Sequence, residues 1–210
     1  MDFHKAPAPS PYTKGPYGAP DPAELVRHHP FATIISRQLQ VTATPVFFES
    51  DDNQDALVGH MHRANAHAAS LTKGDPALAI CMGPHAYVSP SWYVDRPTVP
   101  TWNYVMAIVR GTIEPIDDET GQLAVLHRST DILERHFERP WTIGDAPEGR
   151  VAQLLPRTRS FRIHVESIDG ITKLSQTHPP GDRTRVIDGL RGVAPEPDVA
   201  ELMRRLYAQD

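Results

Sequence analysis

The chain has 210 residues, of which 40% are hydrophobic and 22% are charged, and its formal net charge is −5. These values are typical of one folded domain and exclude an intrinsically disordered chain, while the acidic charge disfavours a broad DNA-binding face. The single cysteine, Cys81, excludes an internal disulfide and every metal site built from several cysteines. Because no apolar run approaches the roughly 20 residues of a membrane span and Met1–Lys5 is polar, we expect a cytoplasmic protein.

Proline and glycine dominate the first twenty residues of the chain. Because proline fixes φ and lacks an N–H donor, we expect residues 1–20 to form an extended arm that packs on the body or stays mobile. Asp21 and Pro22 follow with the residue types of an N-cap and a first helical position, so they predict a short helix.

Short runs of β-branched and aromatic residues then predict a series of strands. The predicted strands are residues 31–36, 41–48, 56–61, 77–82, 86–89, 102–115, 161–165 and 171–174. Gly83-Pro84 marks the break between the fourth and the fifth of them. Three further helices are predicted. One covers residues 65–73, a long one begins after a cap at Asp117, and the last covers residues 199–206.

The order of these elements predicts the fold class. Strands outnumber long helices and do not alternate with them as βαβ units, which favours an antiparallel barrel over a parallel sheet. We therefore expect a mainly β protein with peripheral helices (α+β). Its predicted parts are a proline-rich arm at residues 1–20, a barrel domain at residues 21–190 and a C-terminal helix at residues 191–210.

Three segments concentrate the groups that suit a ligand site. They are residues 59–65 (GHMHRAN), residues 83–93 with 99–104 (GPHAYVSPSWY and VPTWNY), and residues 173–176 (KLSQ). Aromatic, imidazole, hydroxyl and amide groups beside glycine and proline are typical of a site for a flat, partly charged ligand. Within the second segment His85, Tyr87 and Ser89 alternate along one predicted strand and therefore share a face.

Individual residues of these segments have two possible roles each. Arg63, Asn65 and Lys173 are candidates to meet the anionic end of a cofactor, since Asn65 opens a predicted helix whose N–H groups favour anions. Each of the three also suits a helix cap or a solvated charge. Trp92 and Trp102 are candidates to wall the cofactor, although a single tryptophan also suits a protein core.

His60 is the candidate metal ligand. A neutral imidazole binds haem iron well, and the preceding Gly59 would let a flat macrocycle approach the backbone. The alternative is a buried histidine that is hydrogen-bonded to the backbone. Cys81 has apolar neighbours that raise a thiol pKa, so the sequence favours a small core residue there over a thiolate ligand.

The motifs GHM-x-RAN, GPHAYVSPSWY, VPTWNY and KLSQ resemble those of the PaiB family, which are FMN-binding negative transcriptional regulators. The resemblance runs from about Phe31 to about Leu190. It implies the split β-barrel fold of flavin reductases and pyridoxamine-phosphate oxidases, and it implies a homodimer.

Within that family the chain most resembles the haem-dependent piperazate synthases, which close δ-N-hydroxy-ornithine into a cyclic hydrazine. The details that favour this branch are Gly59-His60-Met61, Leu155-Pro156 before Ser160-Phe161-Arg162, and Lys173-Leu174-Ser175-Gln176-Thr177. The chain departs from both groups at residues 42–45, which are Thr-Ala-Thr-Pro where family members show Thr-His-x-Pro. Ala43 therefore replaces an imidazole.

This resemblance implies an enzyme, a haem-dependent N–N bond-forming cyclase with haem b as cofactor and a hydroxylated diamino acid as substrate. His60 would be the axial metal ligand, while His85 and Tyr87 would be catalytic residues that handle protons. The implied cofactor-binding residues are His60, Arg63, Asn65, Ser89, Trp92, Trp102, Asn103, Lys173 and Gln176.

Two alternatives remain open from the sequence. One is an FMN-binding split-barrel protein that acts as a flavin oxidoreductase or carrier, and the other is a negative transcriptional regulator. The sequence shows no helix-turn-helix pattern with a basic helix, so we expect no nucleic-acid partner. Because it has no apolar run long enough to span a membrane, we expect no membrane partner. The expected partners are a small-molecule substrate and a second copy of the chain.

Overall fold

The computed structural model describes residues 11–193 and 198–208 of the chain. Its strands are β1 (Phe31–Ile35), β2 (Val41–Phe48), β3 (Ala56–His62), β4 (Asp75–Val88), β5 (Thr101–Ile116) and β6 (Thr158–Lys173). Its helices are α1 (Pro22–His28), α2 (Ala66–Ser70), α3 (Glu119–Glu134), α4 (Arg150–Leu154), α5 (Pro180–Val193) and α6 (Asp198–Tyr207). None of these described helices has the length and apolar character that crossing a membrane requires.

The strands close into an antiparallel barrel in the order β1-β2-β3-β6-β5-β4. β1 pairs on both sides, with Ala32 opposite Thr44 of β2 and opposite Cys81 of β4. Closure removes the free edges that an open sheet would expose. The predicted fold class, a mainly β split barrel with peripheral helices, is confirmed.

Two strands are longer than the sequence predicted. β4 continues through Gly83-Pro84, where we expected a break, because a proline removes only one N–H donor from a strand. β6 runs without interruption through Gly170. A Cβ at position 170 would lie 2.6 Å from the Ala19 Cβ and 3.0 Å from the Pro22 Cβ, so this glycine admits the N-terminal segment.

The described part of the proline-rich arm is not extended, contrary to the prediction. Pro11–Thr13 and Gly15–Tyr17 each form a single 3-10 turn. Gly18 then forms a β-bridge with Ile171 of β6. The described part of the arm therefore packs on the body, which is one of the two arrangements that the sequence predicted. The first half of the arm, residues 1–10, lies outside the described residues.

Contacts divide the chain into two compact units. The central unit comprises Val26–Cys81 and Ile108–Ile168, and the terminal unit comprises Met1–Leu25, Met82–Ala107 and Asp169–Asp210. β4, β5 and β6 each contribute residues to both units. The predicted barrel domain at residues 21–190 therefore contains parts of both.

In the central unit, the pairing of β3 with β6 explains why position 59 is glycine. Gly59 lies opposite Phe161, and a Cβ at position 59 would lie 2.7 Å from the Phe161 ring. The glycine thus makes room for a fully buried aromatic ring. Val125 of α3 packs against Val58 and Ile116, which attaches this helix to the strands.

In the terminal unit, α5 and α6 share a core with residues of β4 and β5. Its buried members include Val88, Val105, Leu174, Val186, Leu190, Val199 and Met203. Trp92 packs against this core at Gly189 of α5, where a Cβ would lie 2.4 Å from the indole ring. The sequence analysis did not predict α5, because the three glycines of this helix lower its intrinsic propensity and tertiary packing stabilises it instead.

Candidate functional site

Most of the predicted site residues lie in the terminal unit. They are His85, Tyr87, Ser89, Trp92, Trp102, Asn103, Lys173 and Gln176. These residues lie at or just after the end of β4, at the start of β5, and at or just after the end of β6. They are distant in the sequence, so chain order alone does not bring them together. The remaining three, His60, Arg63 and Asn65, lie in the central unit.

An aromatic patch formed by His85, Tyr87 and Trp102 lies on the surface of the terminal unit. His85 and Tyr87 alternate along β4 with the buried residues Ala86 and Val88, so both project from the exposed face. The Trp102 ring centre lies 5.6 Å from that of His85 and 6.3 Å from that of Tyr87. Tyr87 and Trp102 are 49% and 50% exposed, so the patch offers aromatic surface to a ligand.

Lys173 supplies a positive charge at the end of β6. Its Nζ donates a 2.6 Å hydrogen bond to the Thr101 hydroxyl and lies 5.5 Å from the centre of the Tyr12 ring. Partial burial lowers the pKa of this ammonium group. Among the described residues no carboxylate pairs with Lys173. A partly buried ammonium without a counter-ion is a natural anchor for an anionic ligand.

Asn103 and Ser175 form a buried hydrogen-bonded pair. The two side chains exchange hydrogen bonds of 3.0 and 3.2 Å, and the Asn103 amide also lies 3.4 Å from the Met203 sulfur. Asn103 is fully buried, and Ser175 adopts the left-handed conformation (φ 66°) that is costly for a residue other than glycine. Asn103 therefore fixes the turn after β6, and its predicted role in cofactor binding stays a prediction.

Three further predicted binding residues stabilise local structure. The Gln176 side chain accepts the Leu174 N–H at 2.7 Å and donates to the Thr172 carbonyl, so it closes the same turn. Ser89 caps the short 3-10 helix that follows β4 by accepting a backbone N–H. Trp92 packs on the core of the terminal unit. The predicted role of these three side chains in cofactor binding stays a prediction.

Asp182 holds the loop between β4 and β5, and the sequence analysis missed it. Its buried carboxylate accepts the N–H groups of Val94, Asp95 and Arg96 at 2.7, 3.0 and 2.9 Å, and a 2.6 Å bond from Arg185. Removal from water raises the carboxyl pKa, but these hydrogen bonds outweigh it and hold the pKa below its usual range. No local signal reveals this role, because 88 positions separate Asp182 from Val94.

His60 lies in the central unit on β3. Burial lowers the pKa of its imidazole, so the ring is neutral at neutral pH. Within the described residues the ring makes no hydrogen bond, while the His60 carbonyl accepts one from the Thr44 hydroxyl at 2.7 Å. A neutral imidazole without a partner is the form that ligates a metal. The space beside Gly59, however, is filled by Phe161, which corrects the prediction that this glycine admits a macrocycle.

Arg63 and Asn65 are engaged within the central unit. Arg63 Nε donates to the Thr158 carbonyl at 3.0 Å, and its guanidinium lies 3.6 Å from the Asp117 carboxylate. Asn65 is the N-cap of α2 and accepts the His67 N–H at 3.0 Å. The sequence left two roles open for each residue. The structure shows Asn65 as a helix cap and Arg63 as an ion-paired surface charge.

The surface beside His60 is apolar and partly exposed. Val46 pairs with Gly59, and this register places Pro45 of β2 opposite His60. Pro45 in turn pairs with Phe31 of β1, which is 65% exposed. On its other side His60 lies opposite Ser160 of β6, which is fully buried, so the exposed apolar surface is limited to the side of β1 and β2.

The described residues offer no cluster of metal-ligating side chains. No group of three or more histidine, cysteine, aspartate or glutamate side chains within this part of the chain is arranged to hold a metal ion. Cys81 is fully buried and its burial raises the thiol pKa to about 12, so the predicted core role of this cysteine is confirmed.

Comparison with known families identifies the class of protein. Residues 12–167 match the model of the FMN_bind_2 family, which is described as "Putative FMN-binding domain". The match covers more than half of the chain, and the chain therefore belongs to this family. The predicted membership of the PaiB-like split-barrel family is confirmed, whereas the piperazate synthase branch stays a prediction.

Individual relatives agree with this assignment. An uncharacterized protein of Aspergillus fumigatus is 33% identical over 157 residues, which are 64% of this chain and 59% of that protein, so the chain spans less than two thirds of it. The Bacillus subtilis protein named "Protease synthase and sporulation protein PAI 2" is 28% identical over 172 residues, 80% of this chain and 81% of that protein.

Among solved structures, the flavocytochrome Anf3 from Azotobacter vinelandii superposes with a TM-score of 0.54 at 14% identity. The superposition covers 78% of this chain and 71% of that chain. At this level of identity the likeness shows the shared fold alone.

Proposed function

We propose that the chain is a flavin-binding split-barrel protein whose terminal unit binds FMN. The observation that carries the proposal is Lys173, a partly buried ammonium group with no carboxylate partner among the described residues. Its hydrogen-bond partner Thr101 directly precedes Trp102 of the aromatic patch. Membership of the FMN_bind_2 family supports the same cofactor class.

The residues present fit both chemical parts of FMN. The phosphate needs cationic and hydroxyl donors, which Lys173 and Thr101 supply 2.6 Å apart. The isoalloxazine ring needs flat aromatic or apolar surface, which the half-exposed rings of Tyr87 and Trp102 supply. Bound FMN would supply hydride and single-electron transfer, while these side chains bind and orient it.

The role of Lys173 predicts a difference between FMN and riboflavin, which lacks the phosphate. Lys173→Met is expected to weaken FMN binding by about 10- to 100-fold, since a hydrogen bond to a charged group contributes roughly 1.5–3 kcal/mol. Riboflavin affinity should change little. Titration of the purified protein followed by flavin fluorescence measures both affinities.

Lys73→Met is the matched control, because Lys73 carries the same charge but forms an exposed ion pair with Glu114 in the central unit. This variant should bind FMN like the unaltered protein. Equal loss of FMN affinity in both variants would show that only net charge matters. An unchanged FMN affinity in Lys173→Met would rule out Lys173 as the phosphate anchor.

A second candidate function, a haem-dependent N–N bond-forming cyclase, is favoured by His60. Its neutral, unpartnered ring would bind the iron, and Phe31 and Pro45 would offer apolar contact to the haem. The fit is incomplete, because Arg63 is already engaged by Asp117 and offers no free cation to a haem propionate. Bound haem iron would supply a Lewis acid that polarises the N–O bond of a hydroxylamine.

The cyclase chemistry would need a proton acceptor from the protein. The amine nitrogen forms a bond to the hydroxylated nitrogen, the N–O bond breaks, and hydroxide leaves as water after it takes up a proton. A base must first remove a proton from the attacking ammonium. The family resemblance assigns this proton transfer to His85 and Tyr87, which stays a prediction.

Haem titration tests this second candidate directly. If His60 ligates the iron, the unaltered protein gives a sharp Soret band with hemin, and His60→Ala loses that band. The free energy of unfolding should fall by only about 1 kcal/mol, because the ring makes no hydrogen bond to the described residues. An unchanged Soret band in His60→Ala would exclude His60 as the ligand.

The proposed partners follow the family resemblance. We propose a small-molecule substrate and a homodimer, with no nucleic acid and no membrane bound. A cytoplasmic location stays a prediction.

A further inference from the structure

A cleft in the central unit is lined by residues that neither the proposed FMN site nor the proposed haem site uses. Its volume is about 100 Å³, which is smaller than the roughly 150 Å³ of an engineered cavity that encloses benzene. Phe47, Phe48 and Ile132 form part of its apolar lining. The cleft therefore offers an apolar floor on which one aromatic ring can lie without being fully enclosed.

The polar lining of this cleft is cationic. Arg27, Arg128 and Arg135 line it together with one carboxylate, that of Asp51, and with His136. Three guanidinium groups thus face one carboxylate in a protein whose formal net charge is −5. The hydrogen bond from Arg128 holds the pKa of Asp51 below its usual range, and the charges of Arg135 and Arg27 lower it further. Because Asp51 pairs with Arg128, the positive charge of Arg135 remains for an anionic ligand.

Two of the arginines are held in place by the protein. Arg128 Nε donates to the Phe48 carbonyl at 2.9 Å, and its terminal nitrogens lie 2.6 and 3.3 Å from the two Asp51 oxygens. The Arg27 guanidinium lies 5.0 Å from the centre of the Phe48 ring. Because these contacts already restrict the side chains, less entropy is lost when a ligand binds.

Arg135 is the guanidinium best placed to receive the ligand. It lines the cleft just after the end of α3 and makes no hydrogen bond or ion pair within the described residues. A guanidinium forms two parallel hydrogen bonds with a carboxylate, which is a geometry that a single ammonium does not match.

We infer that this cleft is a binding site for a small aromatic carboxylate. The apolar floor takes the ring, and the arginine rim takes the carboxylate. Neither feature alone fits this ligand class, because a purely apolar cleft would not select an anion and a purely basic rim would not select a ring.

The test uses benzoate as the probe, with benzamide as its neutral analogue and inorganic phosphate as an anion without a ring. Isothermal titration of the full chain should give tighter binding of benzoate than of the other two. Arg135→Gln should weaken benzoate binding by about three- to tenfold and leave benzamide binding unchanged. Asp51→Asn should tighten benzoate binding, because it removes the competing carboxylate and keeps an oxygen acceptor for Arg128.

Arg139→Gln is the matched control, since it removes the same charge from an exposed residue that does not line the cleft. Equal weakening by Arg139→Gln and Arg135→Gln would overturn the inference, as would equal affinity for benzoate and benzamide, equal affinity for benzoate and phosphate, or no binding at about 10 mM. FMN affinity should be the same in all of these variants, so the outcome is independent of the proposed flavin site.

Discussion

Gly111→Ala is expected to lower the free energy of unfolding by about 3 kcal/mol or more, or to prevent folding. Position 111 lies on β5, and a Cβ there would lie 1.9 Å from the carbonyl oxygen of His164 on β6. The colliding atom belongs to the backbone, so it does not rotate away as a flexible side chain would. The two strands would have to separate, which a close-packed structure resists. Urea denaturation measures the loss.

Gly144→Ala is the matched control for this prediction. A Cβ at position 144 would meet only the Thr142 hydroxyl at 3.5 Å, an ordinary contact, so we expect a change within about 0.5 kcal/mol. If Gly111→Ala unfolds at the same urea concentration as Gly144→Ala, the backbones of β5 and β6 do not approach each other as closely as the structure shows.

The strands could be predicted from sequence where local propensity and burial agree. β1 and β2 combine β-branched and aromatic residues with a short connection, and both strands were predicted within one residue of their bounds. α5 was missed because its glycines oppose a helix locally, whereas the packing of Trp92 explains the glycine at position 189. Such tertiary effects are invisible to a reading of short windows.

The candidate site also has features that the sequence could predict and features that it could not. The alternation of His85 and Tyr87 predicts a shared face, and Lys173 stands out as a charge within an apolar and amide motif. The partner of each group could not be predicted, because the Lys173–Thr101 and Asn103–Ser175 contacts each join residues 72 positions apart.

Gly59 shows how a correct residue choice can have the wrong explanation. A glycine before a candidate ligand suggests room for a cofactor, whereas the cross-strand neighbour Phe161 fills that room. The pairing register of β3 with β6 is needed to tell the two apart, and the sequence of β3 alone does not contain it.

Asp182→Asn is expected to destabilise the terminal unit strongly at neutral pH. The carboxylate accepts hydrogen bonds from three consecutive N–H groups and from Arg185, and an amide would direct two donors at groups that are donors themselves. Urea denaturation at pH 7 measures the effect. Asp188→Asn is the matched control, because Asp188 is an exposed residue of the same helix, and this variant should unfold close to the unaltered protein.

The loss caused by Asp182→Asn should also depend on pH in a defined direction. The folded-state pKa of Asp182 lies below its usual range, so the carboxylate stabilises the protein fully above the unfolded pKa near 4. As the pH falls below about 4 the unfolded chain takes up a proton before the folded one does, and this stabilisation is lost. The difference in unfolding free energy between the unaltered protein and Asp182→Asn should therefore be constant from pH 7 to pH 5 and shrink at pH 3.5. A difference that stays constant down to pH 3.5 would show that the Asp182 charge is not what holds the loop.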